Sequence, residues 1–578
     1  MRKKTWNILK ADGTLRRRLA AECGITDITA AILANRGITD PAAASDFLNA
    51  DMADLNDPFM LKDMDRAVQK IGRAVSRGEK IMVYGDYDVD GITAVALLSM
   101  VLKGIGANAV TYIPHRVEEG YGLNRSAVKQ AHRKGVSLLI TVDCGISGGK
   151  EVDYLKSLGI STIVTDHHKI IEGAFPNAAY AVINPLQRGC GYPFKGLAGV
   201  GLAYKLAEAL TAGCGYDVTS HLDLVALGTI QDMVPQTGEN RIFVKYGLAL
   251  MERGSNPGIS ALIKASGISK RPISFREVAY MLGPRINAAG RIGSADLALR
   301  LLVCDDPLRA DELASRLNTE NRNRQKIEGT ILREAMQKVE NEINFKNDMV
   351  IVLDGDNWHP GVIGIVASRV AERFNRPTIM ISFEADLGRG SGRSISNFHL
   401  FDALTECRDL LTDFGGHASA CGIRITRKML PDFRRRLNGL VSGALEMDEL
   451  VPTIDVDAVI PLHKIDERLI GELDRLSPFG PGNPRPVLSS TGLTLKSRPK
   501  SIRRDGIKMW VTDGKITCEA VGFGMTHLLE DIIGADRVDM AYTPGLNRWR
   551  GLNTLQLELV DMRAEAFADK KRRHALVS

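Results

Sequence analysis

The chain has 578 residues, 44% apolar and 25% charged, proportions that exclude a largely disordered, collagen-like or fibrous chain and suggest several globular domains. Its 75 Lys and Arg stand against 69 Asp and Glu, a net charge of +6, too small over this length to mark a nucleic-acid binder unless the charges cluster. No apolar run approaches the ~18 residues of a membrane span, no apolar leader core follows the basic start, and the eight cysteines form no CxxC pair. The expectation is a soluble, cytoplasmic protein of a reducing compartment, with no membrane association, disulfide framework or Cys-ligated zinc.

Residues 1–75 read as a helical lead-in. From Lys80 to about Pro185 short apolar runs alternate with helical stretches: strands at Lys80–Tyr84, Ala109–Ile113, Ser137–Val142, Ser161–Val164 and Tyr180–Ile183, and helices at Ile92–Lys103, Ser126–Arg133 and Gly149–Leu158. Continuous apolar strands alternating with helices predict a doubly wound parallel sheet covered on both faces. Helical patterns follow from Gly199 to Lys264, and the first α/β domain is set at 76–305. Asp306 to about Ile343 is charged and amphipathic, one or two long helices forming a connector over 306–345. A second, smaller α/β unit over 346–445 begins at Met349–Leu353, with a helix near Val362–Phe374, a strand at Thr378–Phe383 and Gly-rich turns at Gly388–Gly392 and Gly415–Gly422. Over 446–578, alternating runs such as Ile516–Phe523, Val538–Tyr542 and Leu555–Val560 predict a small antiparallel barrel or sandwich, ending in the basic tail Lys570–Arg573.

The chemistry begins at Gly85-Asp86-Tyr87-Asp88-Val89-Asp90-Gly91, directly after the first strand. Three carboxylates at alternate positions sit at the carboxyl end of a parallel strand, where open α/β sheets bind ligands. Alone they would repel one another, and a divalent cation removes the conflict. A single Asp there would read as a helix cap; three favour metal. Asp143 follows the third strand, Thr165-Asp166-His167-His168 follows the fourth, and Asp232 in Gly228-Thr229-Ile230-Gln231-Asp232 follows an apolar stretch. Carboxylates mixed with one or two imidazoles suit manganese, magnesium or iron better than copper.

GDYDVDG, TVDCGIS, VTDHHK and GTIQD, in that order, resemble the four catalytic motifs of the DHH phosphoesterase superfamily. PHRVEEGYGLN (114–124), LAGVGLA (197–203), GPRINAAGR (283–291), WHPGVIGIVASR (358–369), GSGRS (390–394) and FGGHASACG (414–422) extend the resemblance, from about residue 30 to 560, to the superfamily's bacterial single-strand-specific DNA exonucleases with a DHHA1 domain and an oligonucleotide-binding (OB) barrel. The resemblance implies two divalent metal ions, Mn2+ or Mg2+, held by Asp88, Asp90, Asp143, His167 and Asp232, with Asp143 as the bridge and Asp86 as a further ligand candidate. It implies His168 beside the phosphate and Asp166 orienting the histidines. Several relatives carry a histidine of the first metal site where this chain has Tyr84, a poor ligand for a hard cation, and the fourth motif more often reads GTIAD.

The same resemblance places Arg116, Ser391 and Arg393 around the 5′ end of the strand; arginine's planar fork suits phosphate. Arg285, Asn287, Arg291, Arg324, Gln325 and His417 are further strand-facing candidates. In the C-terminal region Lys496, Arg498, Lys500, Arg503, Arg504 and Lys508, with Trp510, Arg548, Trp549 and Arg550, make a basic track with aromatic platforms or an ordinary barrel surface with core tryptophans. The implied activity is metal-dependent degradation of single-stranded DNA from the 5′ end, releasing mononucleotides, in recombination and repair. The implied partners are single-stranded DNA, a single-stranded-DNA-binding protein and a RecQ-type helicase, with the chain acting as a monomer. An oligoribonuclease or cyclic-dinucleotide phosphodiesterase of the same superfamily, or a catalytically inactive DNA-binding scaffold, stays open as an alternative.

Overall fold

The computed structural model describes residues 4–116, 118–268, 272–503, 505–533, 535, 537–549 and 552–564, without the side chains of 548, 549, 552 and 553. Arg504, Arg550 and the tail Lys570–Arg573 thus lie outside the described residues, as do the side chains of Arg548 and Trp549. The chain divides into two compact units, Leu55–Val451 and Met1–Asp54 joined with Pro452–Ser578.

The larger unit opens with five parallel strands in the spatial order Asn108–Tyr112, Lys80–Gly85, Leu138–Val142, Ser161–Thr165, Ala181–Ile183. Leu138–Val142 is buried at all five positions, as a sheet covered on both faces requires. The order reverses beside Lys80–Gly85, and a crevice opens there at the strand carboxyl ends. Helix Val89–Gly104, buried along most of its length, packs with Gly199–Thr211 and Leu222–Gln231 on one face. The helical run after Gly199 resolves into these two helices plus Gly238–Arg253 and Pro257–Ser266.

The connector is one helix, Pro307–Glu342, of 36 residues and so about 54 Å long. Asp306 caps it by accepting from the Leu308 amide, and Pro307 occupies its first turn. Its first half buries Ala310, Leu313, Ala314 and Leu317. Its second half gives Ile331, Ala335 and Val339 to the core that contains Leu353, Val366 and Val370 of the second domain.

The second domain has a mixed sheet, ordered Asp413–Gly416, Ala420–Thr426, Leu387–Arg393, Thr378–Glu384, Ile351–Asp356, in which only the last pair is parallel. The expected turn at Gly388–Gly392 is instead the strand Leu387–Arg393, so Ser391 and Arg393 sit on a strand. Its glycines serve packing: a Cβ on Gly390 would meet Ile423 at 2.6 Å, and one on Gly392 would meet Leu400 at 2.8 Å. Gly415–Gly422 likewise spans two paired strands.

In the smaller unit, strands Leu488–Leu495, Arg537–Trp549, Leu552–Ala564, Thr517–Gly522 and Gly506–Thr512 follow one another, and Leu488–Leu495 pairs again with Gly506–Thr512 to close a barrel. Most pairings are antiparallel, as expected, but Thr517–Gly522 runs parallel to Leu552–Ala564. Thr5–Ile8 pairs with Thr453–Val456, and Trp6 Nε1 donates to Asp561 at 2.7 Å, so the chain's first strand closes against the C-terminal segment that begins at Pro452.

One buried acid in the larger unit makes a stability prediction. Asp223, 1% exposed, accepts from the Leu224 amide through Oδ1, and its Oδ2 has no hydrogen-bond partner among the described residues. Burial pushes its carboxyl up to about 6 from the ordinary 3.8. A carboxyl raised in the folded state is neutral in both states below about 3.8 and destabilises the fold as pH rises through the interval to 6, by about 3 kcal/mol at the plateau. Asp223→Asn should therefore raise the urea midpoint at pH 8, and the gain should fall to about half at pH 5. A gain that grows as pH falls would contradict this.

Candidate metal centre

Strand register assembles the site. Gly85 pairs with Val142, and Val142 with Thr165, so the residues that follow, Asp86, Asp143 and Asp166, line one edge of the sheet. Asp88 caps helix Val89–Gly104 by accepting from the Gly91 amide at 3.1 Å. Asp90 is the second residue of that helix, 1% exposed, and accepts from the Gly199 and Val200 amides at 2.6 and 2.9 Å. Those amides open helix Gly199–Thr211, whose N-terminus favours an anion. Gly199 has to be a glycine here, because a Cβ would stand 2.6 Å from Asp143 Oδ1.

Asp143 is 2% exposed and takes φ +60°, a conformation that Asp and Asn tolerate better than most residues. His167 Nε2 stands 3.2 Å from Asp143 Oδ1, 3.5 Å from Asp232 Oδ2 and 4.0 Å from Asp90 Oδ2. Burial and the neighbouring His168 push His167 down to about 4, so at neutral pH it is an uncharged imidazole with a lone pair to offer. Three groups place their ligand atoms within 4.8 Å of one another: Asp86, Asp88 and Asp143; Asp90, His167 and Asp232; and Asp143, His167 and His168. The first two sets are separate, and the 3.2 Å Asp143–His167 contact joins them.

Burial, reinforced by the other carboxylates, raises Asp86, Asp143 and Asp232 well above the ordinary carboxyl range and lifts Asp90 to about 7. Asp86 Oδ1, Asp143 Oδ1, His167 Nε2 and Asp232 Oδ2 are all buried and have no hydrogen-bond partner. Buried polar atoms in folded proteins rarely go unpaired, and four together, three hard carboxylate oxygens and one imidazole nitrogen, are a set that a divalent cation takes.

Asp166 differs. Its oxygens accept from the Ile146 amide at 2.9 Å and from the His168 amide and ring at 3.0 and 2.8 Å. Burial would raise its carboxyl, but these bonds hold it below the ordinary value. Burial would likewise lower His168, yet the bond to Asp166 and its charge raise it, and the same bond holds the ring in place. Tyr121 Oη lies 3.1 Å from the same His168 nitrogen. Residue reasoning passed over Tyr121 within PHRVEEGYGLN; the flanking Gly120 and Gly122, both at positive φ, were the available signal. Tyr84 is fully buried and stacked on Tyr112. Its hydroxyl donates to Gly122 O at 2.7 Å and accepts from Asn124 at 3.2 Å, so the phenol oxygen is engaged by the loop that carries Tyr121.

The basic groups converge beside the acids. Arg116 lies over the Tyr87 ring, 4.8 Å from its centroid. Arg291 is pushed down to about 9 by burial and by the charges of Arg116, Arg393 and Arg324; Arg393 is lowered by burial and by Arg116. Arg393 donates to Ser391 Oγ at 3.1 Å. Tyr87, His115, Arg116, Gly290 and Ser294 line a cavity of about 60 Å³. Arg285 donates to Asn318 of the connector, and Asn287 to Gln231. Arg324 is turned into its own helix, donating to Glu328 at 2.5 Å and to Asn321, while Gln325 is exposed. His417 is exposed, and burial with the nearby His168 and Lys169 lowers it, which puts the second domain's glycine-rich hairpin near the first domain's histidines. In the smaller unit, Trp510 is 43% exposed on the same strand face as Lys508.

A parallel sheet with an acidic, imidazole-bearing crevice at its carboxyl edge, joined through a long helix to a glycine-rich mixed sheet, defines a DHH-class phosphoesterase. Models of the DHH family N-terminal domain, the DHHA1 domain and the RecJ OB domain match residues 80–229, 347–443 and 456–561. The chain is 38% identical over 562 residues to the single-stranded-DNA-specific exonuclease RecJ of Bacillus subtilis, spanning 97% of this chain and 71% of that protein. It is 34% identical over 518 residues to the Escherichia coli protein of the same name, spanning 86% and 89%. The crystal structure of Thermus thermophilus RecJ in complex with Mn2+ superimposes with a TM-score of 0.84 at 29% identity, covering 98% of this chain and 80% of that one. The chain belongs to the RecJ family of exonucleases.

Proposed function

We propose that the chain is a divalent-metal-dependent exonuclease that degrades single-stranded DNA from the 5′ end, releasing mononucleotides in recombination and repair. The observation that carries this reading is the cluster of four unpartnered buried ligand atoms on Asp86, Asp143, His167 and Asp232, set beside the converging guanidiniums of Arg116, Arg291 and Arg393. The scissile phosphodiester cannot sit against five carboxylates without cations between them, whereas the rest of the strand is held by the arginines. Asp86, Asp88 and Asp143 would hold one cation and Asp90, His167 and Asp232 the other, with Asp143 between the two. When bound, such a pair supplies Lewis acidity and a nucleophilic water at neutral pH. The chain's own residues do the rest. The arginines seat the terminal phosphate, His168, oriented by Asp166, stabilises charge at the scissile phosphate, and His417 closes the site from the second domain.

The fitting metals are Mn2+ and Mg2+, with which Thermus thermophilus RecJ was crystallised. The smaller unit offers single-stranded DNA the exposed Trp510 as a sequence-tolerant stacking platform, while its neighbour Lys508 is paired with Glu519. No helix among the described residues is long and apolar enough to cross a membrane. The proposed setting is a monomer acting in the cytoplasm. A single-stranded-DNA-binding protein and a RecQ-type helicase are the proposed partners, because the enzyme needs strands already separated.

The test uses a 5′-labelled single strand, its RNA counterpart and a blunt duplex, each with Mn2+ and with EDTA. Label should be released as mononucleotide from the DNA single strand alone, and only with Mn2+. Preferred cleavage of RNA would favour the oligoribonuclease reading, and binding without cleavage the scaffold.

A further inference from the structure

Helix Gly283–Ile292 carries Arg285, Asn287 and Arg291 and lies against the acidic loop, close enough that a Cβ on Gly290 would meet Tyr87 O at 2.7 Å. It is entered through one π-turn, Val278–Leu282, and Pro284 stands in its first turn. A proline has no N–H. An amide at position 284 would donate to Tyr280 O in α geometry or to Ala279 O in π geometry. The Gly283 amide donates to Val278 O, so neither Gly283 nor Pro284 supplies Ala279 with a donor.

Gln231 stands in that gap. Its Nε2 donates to Ala279 O and to Val278 O, each at 3.1 Å, and its Oε1 accepts from Asn287 Nδ2 at 3.4 Å. The carboxamide lies so close to the helix start that a Cβ on Gly283 would fall 1.9 Å from Gln231 Cδ. The next residue in the chain is Asp232.

We propose that Gln231 is a positioning residue: its carboxamide replaces the donor that Pro284 removes, and so holds the strand-gripping helix in register with the metal-ligand edge. This rests on the reading of the crevice as a site for single-stranded DNA. A backbone carbonyl left without its donor at a half-buried helix junction costs up to about a ten-fold factor in the equilibrium it supports. Gln231→Met keeps the side chain's length and packing and removes its hydrogen bonds. It should raise KM for a long single strand by about ten-fold, with kcat within about two-fold of the parent. Pro284→Ala returns an N–H, and Gln231→Met should then cost less than about two-fold in that background.

The four proteins, in a double-mutant cycle, are compared by steady-state kinetics with Mn2+ and by strand binding in EDTA, after thermal unfolding shows each is folded. An unchanged KM in Gln231→Met would overturn the proposal. So would a fall in kcat at constant KM, which would place the effect on Asp232, or a full ten-fold loss that persists beside Pro284→Ala. If the parent chain does not cut single strands, the functional reading fails, and the same cycle read as binding affinity in EDTA still decides the role of Gln231.

Discussion

Asp143→Asn should lower cleavage of single-stranded DNA by about a thousand-fold or more, while the affinity for the strand in EDTA stays near that of the parent. Asparagine accepts the φ of +60° found at this position and keeps the side chain's shape, so the exchange removes charge without refolding the turn. The buried Oδ1 of Asp143 faces His167 at 3.2 Å, and Asp143 belongs to two of the three ligand groupings, one with Asp86 and Asp88 and one with His167 and His168. Loss of an anionic ligand that stands between the two cation positions removes several kcal/mol of transition-state stabilisation, and each 1.36 kcal/mol is ten-fold. The guanidiniums of Arg116, Arg291 and Arg393 are untouched by the exchange, which is why binding should survive. Single-turnover cleavage and fluorescence anisotropy on one labelled strand measure the two quantities. A variant that retains a tenth of the parent rate would remove Asp143 from the bridging position.

The second large effect concerns the end of the strand. Arg393→Ala should slow processing of a 5′-phosphorylated strand by about ten- to a hundred-fold, the range of a lost charge-assisted hydrogen bond. A 5′-hydroxyl strand should lose much less, because it lacks the terminal dianion. Arg393 is suited to the role by its company: burial and Arg116 already lower its guanidinium, and Arg291 feels both. Three cations held together beside the metal-ligand carboxylates make a place for a terminal phosphate. Equal losses on both substrates would mean that Arg393 grips the general backbone or only holds Ser391 in place.

Much of this was legible from residues. The alternation of apolar runs after Lys80 located every strand of the first sheet to within a residue or two, because a sheet buried on both faces leaves an uninterrupted apolar signature. The acids that end those strands marked the crevice, since strand ends of a parallel sheet share one edge. The glycine-rich strands of the second domain read as turns, for glycine signals a turn unless one knows that Ile423 and Leu400 lie across the sheet. Pairing between Thr5–Ile8 and Thr453–Val456 had no local signal at all; contacts over more than 400 residues leave no periodicity. At the site, Tyr121 and Gln231 were overlooked for the same reason: each acts by reaching a separate segment, His168 for one and the carbonyls of Val278 and Ala279 for the other. The oxygen of Tyr84 was judged by its chemistry as a ligand, whereas its neighbours Gly122 and Asn124 give it a different use.

The central claim is that the Asp86–Asp88–Asp143 and Asp90–His167–Asp232 groupings hold two cations side by side. Mn2+ titration followed by electron paramagnetic resonance counts them directly and registers their coupling. The account predicts two Mn2+ per chain, magnetically coupled at saturation, with coupling lost and at least one ion released in Asp143→Asn. A single uncoupled ion in the parent chain, or two ions that Asp143→Asn leaves coupled, would contradict it.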